Sequence, residues 1–165
     1  MNADLFITEF CFSGSDGYAT DQDLHKIFEM LEQFPRSPRL WNFCGDSIQL
    51  SSGVDFTLQD AKKCYESAIE VAPDDPEGYE SLGFWHDIQN ELDISTKYFE
   101  LAIERTDSDT PRHGLARVLV QLGRKSHAIQ QLNLCTDQHS LDLKILRDEI
   151  SDGRTEPKEN GENVG

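Results

Sequence analysis

The stretch Ala72-Pro73-Asp74-Asp75-Pro76-Glu77-Gly78-Tyr79 ends one helix and begins another. A Pro just past a helix cannot continue it, because its ring blocks the preceding carbonyl and it has no N–H to donate. Asp75 is a good N-cap, and the fixed φ of Pro76 suits the first helical position. Phe34-Pro35-Arg36-Ser37-Pro38-Arg39-Leu40-Trp41 has the same order: apolar residue, Pro, two polar residues, Pro, two more residues, aromatic. Ser37 is its cap. Thr110-Pro111 reads as a third copy of the cap pair. Helix starts that recur in this way point to an internal repeat of helical units.

Apolar residues at helical spacing predict the elements between these punctuation marks. Leu24, Ile27, Phe28, Leu31 and Phe34 give a helix from Thr20 or Asp21 to about Phe34. The next runs from Pro38 to about Leu50, carrying Leu40, Trp41, Cys44 and Ile48. Thr57 and Asp60 form a variant capping box for a third, with stripe residues Ala61, Cys64, Tyr65, Ala68 and Ile69. A fourth follows Pro76, a fifth spans Leu92 to Arg105, a sixth follows Pro111 and stops near Gly123, and a seventh covers about 126–136. Ser140 opens a last helix, 140–150, that is half apolar and half charged, as suits the end of a stack. The segment 1–19 holds Leu5, Phe6, Ile7, Phe10 and Phe12, an apolar arm compatible with a short helix or an extended strand, followed by a Gly/Ser loop. Residues 151–165 lose all apolar periodicity and read as a disordered acidic tail.

The repeat has a measurable period. Tyr65 to Phe99, Ala68 to Ala102 and Ala61 to Ser95 are each separated by 34 positions, and Ser95 to Ala128 and Ala102 to Cys135 by 33. The residues follow a pattern as well: Trp41, Cys44-Gly45, Ile48, Ala61, Tyr65, Ala68, Pro73; then Tyr79, Leu82-Gly83, His86, Ser95, Phe99, Ala102; then, more weakly, Leu115-Ala116, Leu119, Gly123, Ala128, Leu132, Cys135. In this the chain resembles the tetratricopeptide repeat (TPR) family over about residues 37–136, with repeats at about 37–73, 76–107 and 110–136. The resemblance implies an all-α, right-handed α-solenoid of helix–turn–helix repeats with flanking helices, occupying 20–150. Small residues such as Gly45 and Gly83 would let paired helices approach while the large residue fills the gap beside them. One departure is a four-residue insertion: Trp41 to Ala61 spans 20 positions where Tyr79 to Ser95 spans 16. The longer loop, around Ser51–Leu58, carries Val54 and Phe56, which either cover core from outside or meet a partner. In the third repeat the register counted from Pro111 and that counted back from Ala128 differ by two.

Composition narrows the function classes. A formal net charge of -16 on 165 residues disfavours a nucleic-acid backbone and an anionic membrane surface, both of which need clustered Lys and Arg. It would attract a basic partner, and it also serves solubility by itself. No apolar run reaches the ~18–20 residues of a membrane span, and no basic-then-apolar leader is visible. Cys11, Cys44, Cys64 and Cys135 form no CxxC pair, and the last three fall at small apolar helix positions, where reduced buried thiols are expected. These features favour the cytoplasm. No GxSxG, P-loop, GxGxxG or HExxH is present, and none of the five histidines is paired at metal-ligand spacing. No catalytic residue, metal or cofactor is expected.

Binding is what remains. The resemblance implies a concave groove lined by the first helix of each repeat. Carried over position by position, it is formed by Asn42, Asp46 and Gln49, then Glu77, Glu80, Phe84 and Asp87, then Arg117, with His113 and Val120 less surely placed. Such a groove is acidic, with Phe84 as its aromatic candidate. Phe84 and Trp85 are adjacent on a helix and cannot share one core, so Phe84 either anchors a partner or packs on a neighbouring element. Members of the family that hold the C-terminal carboxylate of heat-shock chaperones use a basic clamp. Asn42 and Asp46 stand where two of its residues would be, so that ligand is not expected. The reading is a non-enzymatic adaptor or scaffold that binds a protein or peptide, one with basic character, through an acidic groove. The alternative is a dedicated holding chaperone, or neutralising partner, for a basic or apolar client.

Overall fold

In the computed structural model, which describes residues 2–14 and 17–152, the described residues form nine helices and no strand. They are α1 (Ala3–Glu9), α2 (Asp21–Gln33), α3 (Pro38–Gln49), α4 (Leu58–Val71), α5 (Pro76–Ile88), α6 (Leu92–Ile103), α7 (Thr110–Gln121), α8 (Lys125–Asn133) and α9 (Leu141–Ser151). The chain divides into two compact units, 1–82 and 83–165, with the boundary inside α5 between Leu82 and Gly83. The expectation of a disordered tail falls almost wholly on 153–165, outside the described residues; Ser151 itself ends α9.

The helix starts follow local chemistry. Ser37 caps α3 by accepting from the Leu40 amide at 3.3 Å, with Pro38 at the first position. Asp75 accepts from the Glu77 amide at 3.0 Å at the head of α5. Thr57 and Asp60 make the capping box of α4, where Asp60 accepts from the Thr57 amide and hydroxyl at 3.0 and 2.7 Å. The third Pro-containing start is built differently from the other two. Thr110 is the first residue of α7, and Asp109 before it lies in right-handed helical backbone without capping. The Asp109 carboxylate accepts instead from the Thr136 and Asp137 amides, at 2.8 and 2.9 Å, so it ties the segment after α8 to the head of α7. A side chain committed to a distant loop is not free to cap its own helix.

In the first unit α3 packs along α4, with α1 and α2 against α3. Leu24, Ile27, Leu40, Cys44, Ala61 and Tyr65 are among its buried residues. A Cβ on Gly45 would lie 2.4 Å from the Tyr65 ring, so only glycine lets α3 and α4 close over that aromatic. The Sγ atoms of Cys44 and Cys64 meet at 3.5 Å in this core as free thiols. The N-terminal arm is a short helix followed by irregular chain. Phe10 meets Phe43 edge-on at 5.9 Å and Phe12 stacks on it at 6.2 Å. Asp23, nearly enclosed, fastens the arm by accepting from the Ser13 amide and hydroxyl. The insertion between α3 and α4 is also held inside this unit: Asp21 accepts from the Val54 and Asp55 amides, and Phe56 stacks on Phe28 with ring centres 5.0 Å apart. Phe56 therefore covers α2, while Val54 stands in solvent.

The second unit repeats the glycine–aromatic device. Phe99, on α6, is fully buried. Cβ atoms on Gly83 and Gly114 would lie 2.8 and 2.5 Å from its ring. α7 packs against α6 and α8, and α9 closes on α7 and α8. Leu115, Ala116, Leu119, Ala128, Leu132 and Cys135 share this core with Leu143 and Ile150 of α9. His86 is buried here too, stacked on Tyr98 and 2.5 Å from a Glu91 carboxylate oxygen through Nδ1.

Candidate functional site

In the first unit α3 carries Asn42, Asp46 and Gln49 at spacings of four and three, which places them on one face. The first two turns of α5 carry Glu77 and Glu80, three apart and likewise on one face. Tyr65, from α4, lies beneath: its hydroxyl donates to Asp46 Oδ1 at 2.8 Å and accepts from the Gln49 amide. Asp46 and Glu77 keep contact with solvent and Glu80 is half-buried, yet the protein around them withdraws part of their hydration. Among the described residues, no Lys, Arg or His lies within ion-pair distance of these three carboxylates. The nearby Arg39 hydrogen-bonds Asp4 of α1 at 3.1 Å.

The titration behaviour follows from that geometry. Burial, then the charges of Glu77 and Asp46, push Glu80 up to about 7. Burial also raises Glu77, with Asp75 and Asp46 adding to it while Asn42 and Arg39 oppose it. Asp46 is raised by burial against the pull of the Tyr65 hydroxyl. The three acids thus hold their protons more tightly than isolated carboxylates do, first because the protein strips their hydration and, for Glu77 and Glu80, because neighbouring carboxylates add negative charge. Asn42 completes the site. It is 1% exposed, its amide lies against the Glu77 carboxylate that it stabilises, and it closes no hydrogen bond of good geometry among the described residues.

The remaining carried-over residues belong to the second unit. Phe84 meets Phe99 edge-on, with ring centres 4.9 Å apart, and the Arg117 guanidinium sits 5.4 Å above the Phe84 ring. Arg117 donates to Asp87 Oδ2 at 2.6 Å, and Gln121 donates to Asp87 Oδ1 at 2.8 Å. Asp87 is therefore buried and satisfied, with Arg117 as its counter-charge. Beside them a cavity of about 350 Å³ is lined by Phe84, His113, Gly114, Arg117, Ile145 and Leu146, with Asp142 and Glu149 also at its walls. Val120 is buried in the core, away from any groove role. The contribution of α9 to this cavity was not visible in the sequence, because α9 lies outside the repeat pattern. Among the described residues no three His, Cys, Asp or Glu side chains converge on a geometry that could hold a metal ion, and no helix is long and apolar enough to cross a membrane.

No family model and no curated protein sequence matches the chain. Solved structures do. One similar structure is TTC0263, a thermophilic TPR protein in Thermus thermophilus, with a TM-score of 0.64 and 18% identity over 81% of this chain and 72% of that one. Another is MamA, with a TM-score of 0.62 and 17% identity over 91% of this chain and 88% of that one. The chain has an all-α, TPR-like fold of helical repeats. At these identities the likeness carries the fold alone.

Proposed function

We propose that the protein is a non-enzymatic, cytoplasmic interaction module that holds a basic segment of a protein partner on the carboxylate face of its first unit. The observation that supports this most is the set Asp46, Glu77 and Glu80, close enough for the first two to raise the third, partly dehydrated, and in no ion pair among the described residues. A basic segment would offset the hydration these groups lose and relieve their repulsion. A carboxylate-ended ligand would add to it, which argues against chaperone-tail recognition. The TPR-like fold is in keeping with a protein partner in general, and the net charge of -16 would speed encounter with a basic one. A second reading, the holding chaperone for an apolar client, draws on the apolar-lined cavity beside Phe84 and Ile145 in the second unit.

The test compares wild type with an Asp46→Asn/Glu77→Gln/Glu80→Gln variant, each tagged and incubated in native lysate. The expected result is a protein retained by wild type at low salt, shed near 1 M salt, where charges are screened beyond ~3 Å, and bound about 10–100-fold more weakly by the variant. Retention that ignores both salt and the three substitutions would overturn the charge-based reading. If that retention is lost with Ile145→Ser, the client sits at the second unit's cavity instead.

A further inference from the structure

On α9, Asp142, Ile145, Leu146 and Glu149 stand at positions i, i+3, i+4 and i+7, the spacing of one helix face, so an apolar pair lies between two acids. All four line the second unit's cavity of about 350 Å³, together with Phe84 of α5 and Arg117 of α7. Ile145 is 46% exposed, and Leu146 and Phe84 are half-buried, so the apolar wall is open to an occupant. An apolar recess of this size with a few polar groups falls at the low end of small-molecule sites, about 300–1,000 Å³. The charges around it are not equivalent. Arg117 is committed: it donates to the buried Asp87 at 2.6 Å and its guanidinium sits over the Phe84 ring. Asp142 and Glu149 form no ion pair among the described residues. A ligand carboxylate would have to draw Arg117 from Asp87, leaving a buried charge uncompensated, and would meet two acids of its own sign. A positive group meets neither cost.

We propose that this cavity binds a small organic cation with a compact apolar body, of the arylalkylammonium class. The apolar body lies on Ile145 and Leu146 beside Phe84, and the ammonium turns to Asp142 or Glu149. Each acid is three residues from one of the apolar pair, about 4.5 Å along the helix axis, a gap that a tether of two carbons spans. Removal of the ring from water supplies most of the affinity, because an exposed ion pair contributes little by itself. The acids select the sign of the ligand. The net charge of -16 draws cations of every kind, so it does not single out this class; the apolar pair between two acids does. The inference goes beyond both functional readings above. The site shares no residue with the carboxylate face of the first unit, and its ligand is a small molecule, not a protein client.

The test is an NMR titration of the isotope-labelled full chain with 2-phenylethylammonium at pH 8, where imidazoles are ordinarily neutral. The comparisons are 3-phenylpropionate, 2-phenylethanol and ethylammonium: the ring with the opposite charge, the ring without charge, and the charge without the ring. The expected result is a saturable shift of the Ile145 methyl groups and the Gly114 amide, both at the cavity, with a Kd of about 1 mM or below. 2-Phenylethanol should bind about threefold more weakly, the share of an exposed ion pair. Ethylammonium and 3-phenylpropionate should not saturate by roughly 20 mM. Ile145→Ser should weaken 2-phenylethylammonium about tenfold, and Asp142→Asn/Glu149→Gln should reduce it to the level of 2-phenylethanol. Asp142 and Ile145 are exposed and Glu149 is partly so, which lets these variants keep the fold, as circular dichroism checks. Absence of saturation by 2-phenylethylammonium at roughly 20 mM overturns the proposal. Equal binding of 3-phenylpropionate overturns it too, as do shifts spread evenly over exposed acids such as Asp74 and Glu100. Protein capture that Ile145→Ser abolishes, with no binding of the amine, gives the cavity to a client and ends the small-cation site.

Discussion

Phe99→Ala is expected to destabilise the second unit by about 3–5 kcal/mol, the range for removing a fully buried phenylalanine. The ring has no exposed surface, and it lies in a slot that two glycines create. Gly83 and Gly114 approach it so closely that a methyl on either would collide, so on those two sides no side chain can fill the gap left by alanine. Phe84 also loses its edge-on neighbour. Urea unfolding followed by circular dichroism, with hydrogen exchange of the α6 and α7 amides, measures this. The exchange protection of α6 and α7 should fall first. A loss below about 1 kcal/mol would mean that the slot collapses freely and that the glycine–aromatic contact does not define the repeat.

Asp23→Asn is expected to cost about 2–3 kcal/mol at neutral pH, from hydrogen bonds to a charged acceptor. Burial opposes ionisation of Asp23, but the amides and hydroxyls of Ser13 and Thr20, all donating to one carboxylate oxygen, outweigh it and hold the carboxyl far below the ordinary range. Because the folded-state value is depressed, the unfolded chain binds the proton more readily. The stabilisation is therefore fully present above pH ~4, the ordinary aspartate value, and drains away as pH falls below it. Wild type and variant should differ most at pH 7 and converge in acid, with the Ser13 amide exchanging faster in the variant at neutral pH. A difference that does not change with pH would contradict this origin of the arm's attachment.

The elements were legible in the sequence where the interactions are local. Cap residues, Pro positions and the spacing of Tyr65 and Phe99 fixed the helix boundaries to within a few residues, because a helix start is decided by neighbours within one turn. The Thr110-Pro111 start misled for the opposite reason, since Asp109 serves amides 27 and 28 residues away. The arm of residues 1–19 could not be read, because its rings are placed by Phe43 and its chain by Asp23, not by its own periodicity. The candidate site divides in the same way. Spacing put Asn42, Asp46 and Gln49 on one face, but not that Asn42 is enclosed against Glu77, nor that Asp46 and Glu77, from two helices, raise Glu80. Asp87 and Arg117 are 30 residues apart and read as separate groove positions; folding makes them partners.

The central claim is that the carboxylates of the first unit are partly dehydrated, close to one another and in no ion pair among the described residues. Residue-specific carboxyl-carbon NMR titration of the free protein tests it without knowledge of any partner. Glu80 is expected to titrate near 7 against its ordinary 4.5, with Glu77 and Asp46 also above their ordinary values. Glu77→Gln should move Glu80 downward. Since the folded chain then binds the Glu80 proton more tightly than the unfolded one, this group lowers stability as pH rises from about 4.5 to about 7. Ordinary carboxylate values for all three, unmoved by Glu77→Gln, would mean well-hydrated and independent acids, and the face would have no unmet demand for a cation.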